Sequence, residues 1–484
     1  MQRQNRVKLG GFAPTSVISW LMTYSADLFM VDRIGEDSLM HKTWSRVMIS
    51  FTIVWIGQVF SLLGTSMTSF ALAIWAWQIS GRATTLALIS FFSFAPTVLV
   101  SPFAGVLVDR WNRKLTMMLS DLAAGLSTVA TLSLFALGRL QIWHLFVTGA
   151  FTGAFQAFQF PAYSAAVTMM IPKQQYARAS GMLSMAQFAS GVFAPIVAAL
   201  LIDVIGIGGI MTVDLISLLV AILFLLLVRI PELDATKRQG QMNILKESAY
   251  GFQYIYKRSS LLGLQLVLFF CNLFSGVTYT LLNPMILSRT DNDKIVLGSV
   301  QSAGAIGGVA GGLLLSVWGG PKRKVHGILI GMLLSSLLGQ LLLGLGRTVH
   351  VWALASFLSV FFIPIINGSN QAIWQSKVPP DVQGRVFATR RLIAQMTTPA
   401  AMLLSGALAD NFFEPAMRLR GGLDVTLGWL VGTGPGAGIA LMNVVAGVLG
   451  VVVSVGSYAF HMIRKAEDIL PDHEKAVHAD TLPS

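Results

Sequence analysis

Twelve apolar stretches occupy most of the chain between Val47 and Met462, each near or above the roughly 20 residues a helix needs to cross a hydrocarbon layer. They run 47–77, 84–108, 115–137, 142–168, 179–202, 207–228, 261–287, 296–318, 325–345, 350–375, 386–409 and 437–462. A backbone in lipid must satisfy its own polar groups, which leaves helices or closed barrels. Runs of this length without two-residue alternation read as helices. Only 12% of the 484 residues are charged, about half the share in a soluble domain. The fold class is therefore all-α and polytopic. Several runs exceed a bilayer's thickness and imply tilt or projection beyond it.

The net charge of +12 would suggest nucleic acid in a soluble domain. Here it is first a topology signal. With the N-terminus inside, seven of the 34 Lys and Arg residues fall outside: Arg82, Arg139, Arg289, Lys294, Arg347, Arg418 and Arg420. The other 27 fall inside. This asymmetry follows the positive-inside rule. It places both termini in the cytoplasm, on a plasma (inner) membrane protein, and leaves no need for a nucleic-acid partner. Residues 1–46 form an extension. Its stretch Phe12–Val31 could be a signal peptide, an extra span, an interfacial helix or sequence upstream of a mis-assigned start. A crossing there would reverse the alternation, so a surface-lying or poorly ordered segment is expected.

The longest inside loop, 229–260, joins a polar linker, Pro231–Gln241, to Asn243–Arg258. Ile244, Leu245, Phe252, Ile255 and Tyr256 predict an amphipathic helix on the membrane surface there. The loop separates 47–228 from 261–463, six spans each, and 464–484 is a charged tail. The halves match at one offset of 207 residues. Gly105 falls on Gly312, Asp109 on Ser316, Trp111 on Trp318, Pro172 on Pro379, Arg178 on Arg385 and Asp203 on Asp410. One offset serving separated regions is the mark of a parallel 6+6 duplication, with a binding site between the halves near the midplane.

The loop Gly105-x-x-x-Asp109-Arg110-x-x-Arg113-Lys114 resembles the signature between the second and third spans of the major facilitator superfamily, with Asn112 where glycine is usual. The resemblance covers about residues 47–463. The second copy, Gly312 to Lys324, keeps the glycine and the basic cluster but has Ser316 in place of the aspartate. Trp55-x-Gly57-Gln58, Leu63-Gly64, Phe70-Ala71-Leu72, Phe160-Pro161-Ala162, and Pro172-Lys173 with Arg178-Ala179-Ser180-Gly181 are similar to the drug- and macrolide-efflux branch, which includes siderophore exporters. The resemblance implies the major-facilitator fold, twelve transmembrane helices in two pseudo-symmetric six-helix bundles. It also implies that Gly105, Asp109, Arg110, Arg113 and Lys114 form a conformational gate. Its aspartate would cap the start of the eleventh span near Arg385 in the outward-facing state. A carboxylate at a helix N-terminus is worth about 0.3–1 kcal/mol, enough to bias two states of similar energy. The plainer reading, a positive-inside anchor, requires neither Gly105 nor Asp109. On the fifth span Gly191, Ala194 and Pro195 stand where family exporters carry a small-residue and proline motif. Ordinary packing of a proline-containing helix is the alternative.

Two intramembrane carboxylates are candidates for proton handling. Asp121 lies seven residues after Lys114 on the same helical face, so a structural ion pair with the loop's basic residues is the competing role. Asp214 lies near the outer end of the sixth span, while Asp203 reads as a solvated span end. The cores of spans 1, 4, 7, 8 and 10 hold no Asp, Glu or His. The mid-span amides Gln58, Gln156, Gln159, Asn272, Asn283, Asn367, Asn370 and Gln371 must face protein, because an amide facing lipid is costly. Each serves interhelical bonding or contacts substrate, and in the family spans 1, 4, 7 and 10 line the cavity. Trp55, Phe155, Phe158, Phe274 and Tyr279 could add aromatic surface.

Such a cavity suits a large amphipathic solute. The expectation is a monomer in the lipid bilayer that exports a drug, macrolide-like compound, siderophore or peptide metabolite by proton antiport, through rocking of the halves. A lipid or lysolipid flippase and a non-transporting sensor or scaffold are the alternatives. The single Cys271 excludes a disulfide framework or a Cys-based zinc site. There is no Walker loop, HExxH motif or plausible triad, and Gly432-Thr-Gly434-Pro-Gly436-Ala-Gly438 reads as a flexible loop. No cofactor, metal or enzymatic activity is expected.

Overall fold

The computed structural model of the protein describes residues 37–171, 176–228, 244–418 and 422–469. Every regular element among them is helical. Helix α1 is Asp37–Ser80, α2 Ala83–Arg110, α3 Arg113–Ala136, α4 Ile142–Met170 and α5 Tyr176–Leu227. A short α6, Ile244–Tyr256, precedes α7 Ser259–Arg289, α8 Lys294–Trp318, α9 Lys324–Leu345, α10 Val349–Lys377 and α11 Pro380–Leu408. Then come α12, Leu423–Val431, and α13, Ala437–Ala459.

Ten stretches among the described residues are long and apolar enough to cross a membrane. One of them, Met185–Leu227, is broken at Gly206, whose φ of 69° and ψ of 177° are not helical. Its two legs are the fifth and sixth predicted spans. With the 29-residue α4, the twelve predicted spans are accounted for. Helix α6 falls inside 243–258, where the amphipathic pattern lies. The predicted extension up to residue 36, Pro172 and Lys173, the linker Pro231–Gln241 and the tail beyond 469 lie outside the described residues. So do the side chains of Gly105, Asp109, Arg110 and Arg385, and with them the predicted contact of Asp109 with the eleventh span.

The turn between α2 and α3 explains the residue that departs from the family signature. Asn112 is the N-cap of α3 (φ −63°, ψ 116°), and its side chain accepts from the Leu115 amide at 3.0 Å. A glycine there offers no side-chain cap. Asn112→Ala is expected to cost about 1 kcal/mol and Asn112→Asp almost nothing, read as thermal midpoints of the purified protein.

Helices meet through small residues, as apolar spans in lipid must. A Cβ at Gly153 on α4 would run into the Ser93 carbonyl of α2, and Thr97 Oγ1 donates to Gly153 O at 2.8 Å. On α8, Gly304, Gly307 and Gly311 lie against Ser356, Phe357 and Phe361 of α10. Helix α10 is broken at Phe362, two residues before Pro364, which lacks the amide that would continue the ladder. Helix α9 widens to a π-turn over Ser335–Leu341, and α11 runs into a second π segment, Ala409–Phe413.

Acidic side chains close several helix starts. Glu414 accepts from the amides of Gly436 (3.4 Å) and Ile439 (3.0 Å) at the head of α13. Glu467 accepts from Lys324 and Val325, both at 3.1 Å, at the head of α9. Each satisfies amides that have no partner inside their own helix. One apolar core joins both halves. It holds Ile74, Ala83, Ala194 and Ala198 from the first and Leu281, Leu297, Val300, Ala409 and Ala437 from the second. These residues cluster at the end of the bundle where Gly81 lies, opposite the Trp111 turn.

Candidate functional site

Helices α1 and α3 run parallel, and their contact carries two buried carboxylates. At the level nearer the Trp111 turn, Asp121 is 6% exposed. Gln58 Nε2 of α1 donates to its Oδ2 at 3.2 Å, and Gln159 Nε2 of α4 donates to its Oδ1 at 2.9 Å. Gln159 Nε2 also reaches Gln58 Oε1 at 3.1 Å, closing a three-residue ring. Ser120 Oγ, bonded to Phe155 O at 3.0 Å, fixes α3 against α4 beside it.

Seven residues further along both helices is a second level, about 10 Å away at 1.5 Å per residue. There Thr65 of α1 and Thr128 of α3 each donate to Asp214 at 3.1 Å. Asp214 comes from the second leg of α5 and is 2% exposed. A Cβ at Gly64 would meet its Cα at 3.0 Å, so glycine lets α1 approach the second leg of α5. Asp214 is sealed among three helices of one half and ties them together.

The two levels differ chemically. Asp214 is held by hydroxyls in a closed seam. Asp121 is held by primary amides, and each amide both donates and accepts. As an anion Asp121 takes the N–H groups of both glutamines. Protonated, it can donate to Gln159 Oε1 once that amide turns over; the oxygen is buried without a partner among the described residues. The ring therefore accommodates either state without breaking an ion pair. Lys114, on the same face, does not reach it: its ammonium donates to Leu226 O at 3.1 Å and Val228 O at 2.8 Å, closing the end of α5.

The other predicted cavity residues divide in two. Trp55 gives its N–H to Met182 O at 2.8 Å, Asn283 accepts from Gln301 at 2.7 Å, and Gln371 accepts from Arg390 Nη2 at 2.5 Å. These are interhelical bonds. Gln156 and Asn367 are exposed, Phe155 and Asn272 half-buried, and Asn370 is buried with an unpartnered Oδ1. Gln340, not among the predicted amides, is 1% exposed and bonded to Ser275 at 2.7 Å. Arg390 enters the sequence reading only as an inside charge. The Arg390 guanidinium instead lies within α11, 5.4 Å from the Trp374 ring and 5.1 Å from that of Phe387. Its position inside the predicted span 386–409 is the signal that could have revealed this.

Gly191 and Pro195 face α8, and Ala194 is buried in the core that joins both halves. A Cβ at Gly191 would lie 3.2 Å from Ala305 Cβ, one at Gly298 would lie 2.8 Å from Pro195 O, and Ser302 donates to Val192 O at 2.5 Å. The small-residue stretch of the fifth span is thus the seam to the second half. The counterpart seam joins α11 to α2, where a Cβ at Gly406 would lie 2.7 Å from both Ala87 Cβ and Thr84 Cα.

This arrangement has many relatives. The family model described as Major Facilitator Superfamily matches residues 54–397. The macrolide efflux protein A of Streptococcus pyogenes is 27% identical over 374 residues, 75% of this chain and 90% of that protein. A protein of the same description from Enterococcus faecalis is 27% identical over 333 residues, 66% of this chain and all of that one. Among solved structures, a bacterial homologue of the human lysosomal transporter Spinster, inward-facing and unoccupied, superposes with a TM-score of 0.62. It does so at 16% identity, over 88% of this chain and 98% of that one.

Proposed function

The chain belongs to the major facilitator superfamily, and from that premise we propose that it exports a hydrophobic or amphipathic small molecule, of macrolide-like or multidrug type, in exchange for protons. It does so from the cytoplasmic side of a plasma (inner) membrane, with both termini inside. The observation that carries the coupling is Asp121 in its ring of two glutamines. It is a membrane-embedded carboxylate bridging α1 and α4, with neutral partners that hold it in either protonation state. The named efflux relatives support the direction of transport and the substrate type. A proton taken up at Asp121 changes the charge at the α1–α3–α4 junction, and that change is what biases the halves between their two arrangements.

Everted vesicles with an acidic lumen test this. They are expected to accumulate a lipophilic dye or labelled macrolide and to release it when an uncoupler collapses the gradient. Accumulation that survives the uncoupler removes the antiport claim. Movement of labelled lysolipid with no dye accumulation favours a flippase.

A further inference from the structure

Two repeat-related carboxylates reach across to the opposite half at the Gly81 end. The 207-residue offset superposes Asp203 on Asp410. Lys294, the first residue of α8, donates to Asp203 at the end of the fifth span. Asp410, in the π segment that follows α11, accepts from the amides of Ala83 at 3.0 Å and Thr84 at 2.7 Å, the first two of α2. The residue at the N-cap of α2, Arg82, makes no side-chain cap bond. The second half therefore supplies a cap that the local sequence of the first half lacks. Other acidic caps, Asp293, Glu414 and Glu467, close helices of their own half.

Both contacts sit on the small-residue seams, α5 against α8 and α11 against α2, where the halves meet most closely. A cavity of about 630 Å³ adjoins the Asp410 contact, lined by Trp77, Arg82, Asp291, Asp410, Glu414 and Arg418 among others. Asp410 and Glu414, on its wall, are already bonded to amides and so belong to the closure of this end. We propose that Asp410, assisted by Asp203, is a latch that holds the two halves together at the Gly81 end, opposite the Gly105–Lys114 loop. When that end opens, two α2 amides lose their carboxylate. Asp410 thereby weights the equilibrium toward the arrangement closed there.

The latch rests on the transporter reading for its consequence, but its test needs no substrate. In a Cys271→Ala background, spin labels at Leu137 and Val425, both exposed, report on the Gly81 end. Labels at Leu115 and Val317, also exposed, report on the other. Asp410→Asn is expected to raise the population with longer Leu137–Val425 distances about fivefold, the weight of a carboxylate at a partly buried helix start. Ala83→Pro removes one of the donors without touching Asp410. Proline suits the first helical position, and Arg82 is already extended, with φ −118° and ψ 128°. It is expected to act in the same direction. Asp203→Asn is expected to do less, because Asp203 is 66% exposed. Unchanged distances in both Asp410→Asn and Ala83→Pro overturn the latch, and so does broadening at both ends alike. A widened Gly81 end in the variants, together with a parent protein that moves no dye, sustains the latch and sinks the export reading.

Discussion

Asp121→Asn is expected to abolish gradient-driven accumulation in everted vesicles, down to the level of vesicles without the protein, while exchange of labelled for unlabelled substrate continues. The reasoning is local. Asparagine fills the same space and keeps partners for Gln58 and Gln159, which now hold Asp121 at 3.2 and 2.9 Å. The α1–α3–α4 junction therefore still packs, but it has lost its one site for a proton. Substitution of Gln159 by Leu removes the donor of two bonds and the unpaired Oε1 together. It leaves a buried carboxylate with one amide, so it is expected to shift the pH dependence of accumulation and not to eliminate it. Asp214→Asn is the control. One threonine can still donate to the amide oxygen while the other accepts from the amide N–H, and the substitution, sealed within one half, is expected to alter thermal stability with accumulation retained. Full gradient-driven accumulation by Asp121→Asn would place coupling elsewhere.

The legible part of this molecule was what depends on composition along one segment. Apolar runs marked the spans, and the gap between 202 and 207 marked the break at Gly206. The 207-residue offset paired Asp203 with Asp410 before either had a partner. What hydropathy cannot carry is which atom of a neighbouring helix a side chain meets. Asp121 and Lys114 share a face, and pairing them was reasonable. The lateral position of α5 instead gives Lys114 two free carbonyls, and that of α4 gives Asp121 an amide. Arg390 lies inside the predicted span 386–409 and still entered the inside charge count, because such a tally does not separate a cation stacked on aromatic rings from one in water. The π segments, Ser335–Leu341 and Ala409–Phe413, leave no mark in the composition.

The sharpest disagreement between motif and geometry concerns two adjacent glycines. The repeat makes Gly312 the counterpart of signature Gly105, and so the residue expected to matter. In the structure a Cβ at Gly312 meets nothing within 4 Å, and Ser316, in the aspartate's place, bonds back to Gly312 O at 2.9 Å within its own helix. Its neighbour Gly311 is buried, and any side chain there would run into the Phe361 carbonyl on α10. The contact is backbone to backbone at the break before Pro364, where neither helix has a flexible side chain to move aside. Gly311→Leu must therefore push α8 and α10 apart along a line that also includes Gly304 and Gly307. That costs about 3 kcal/mol or more, as interior overpacking does when no rotamer relieves it. The expected result is loss of the monodisperse peak on size exclusion and a thermal midpoint many degrees lower, with Gly312→Leu close to the parent in both. Equal damage from the two substitutions would mean that the signature glycine of the second half retains a packing role. In that case the asymmetry between the two copies would reside in Ser316 alone.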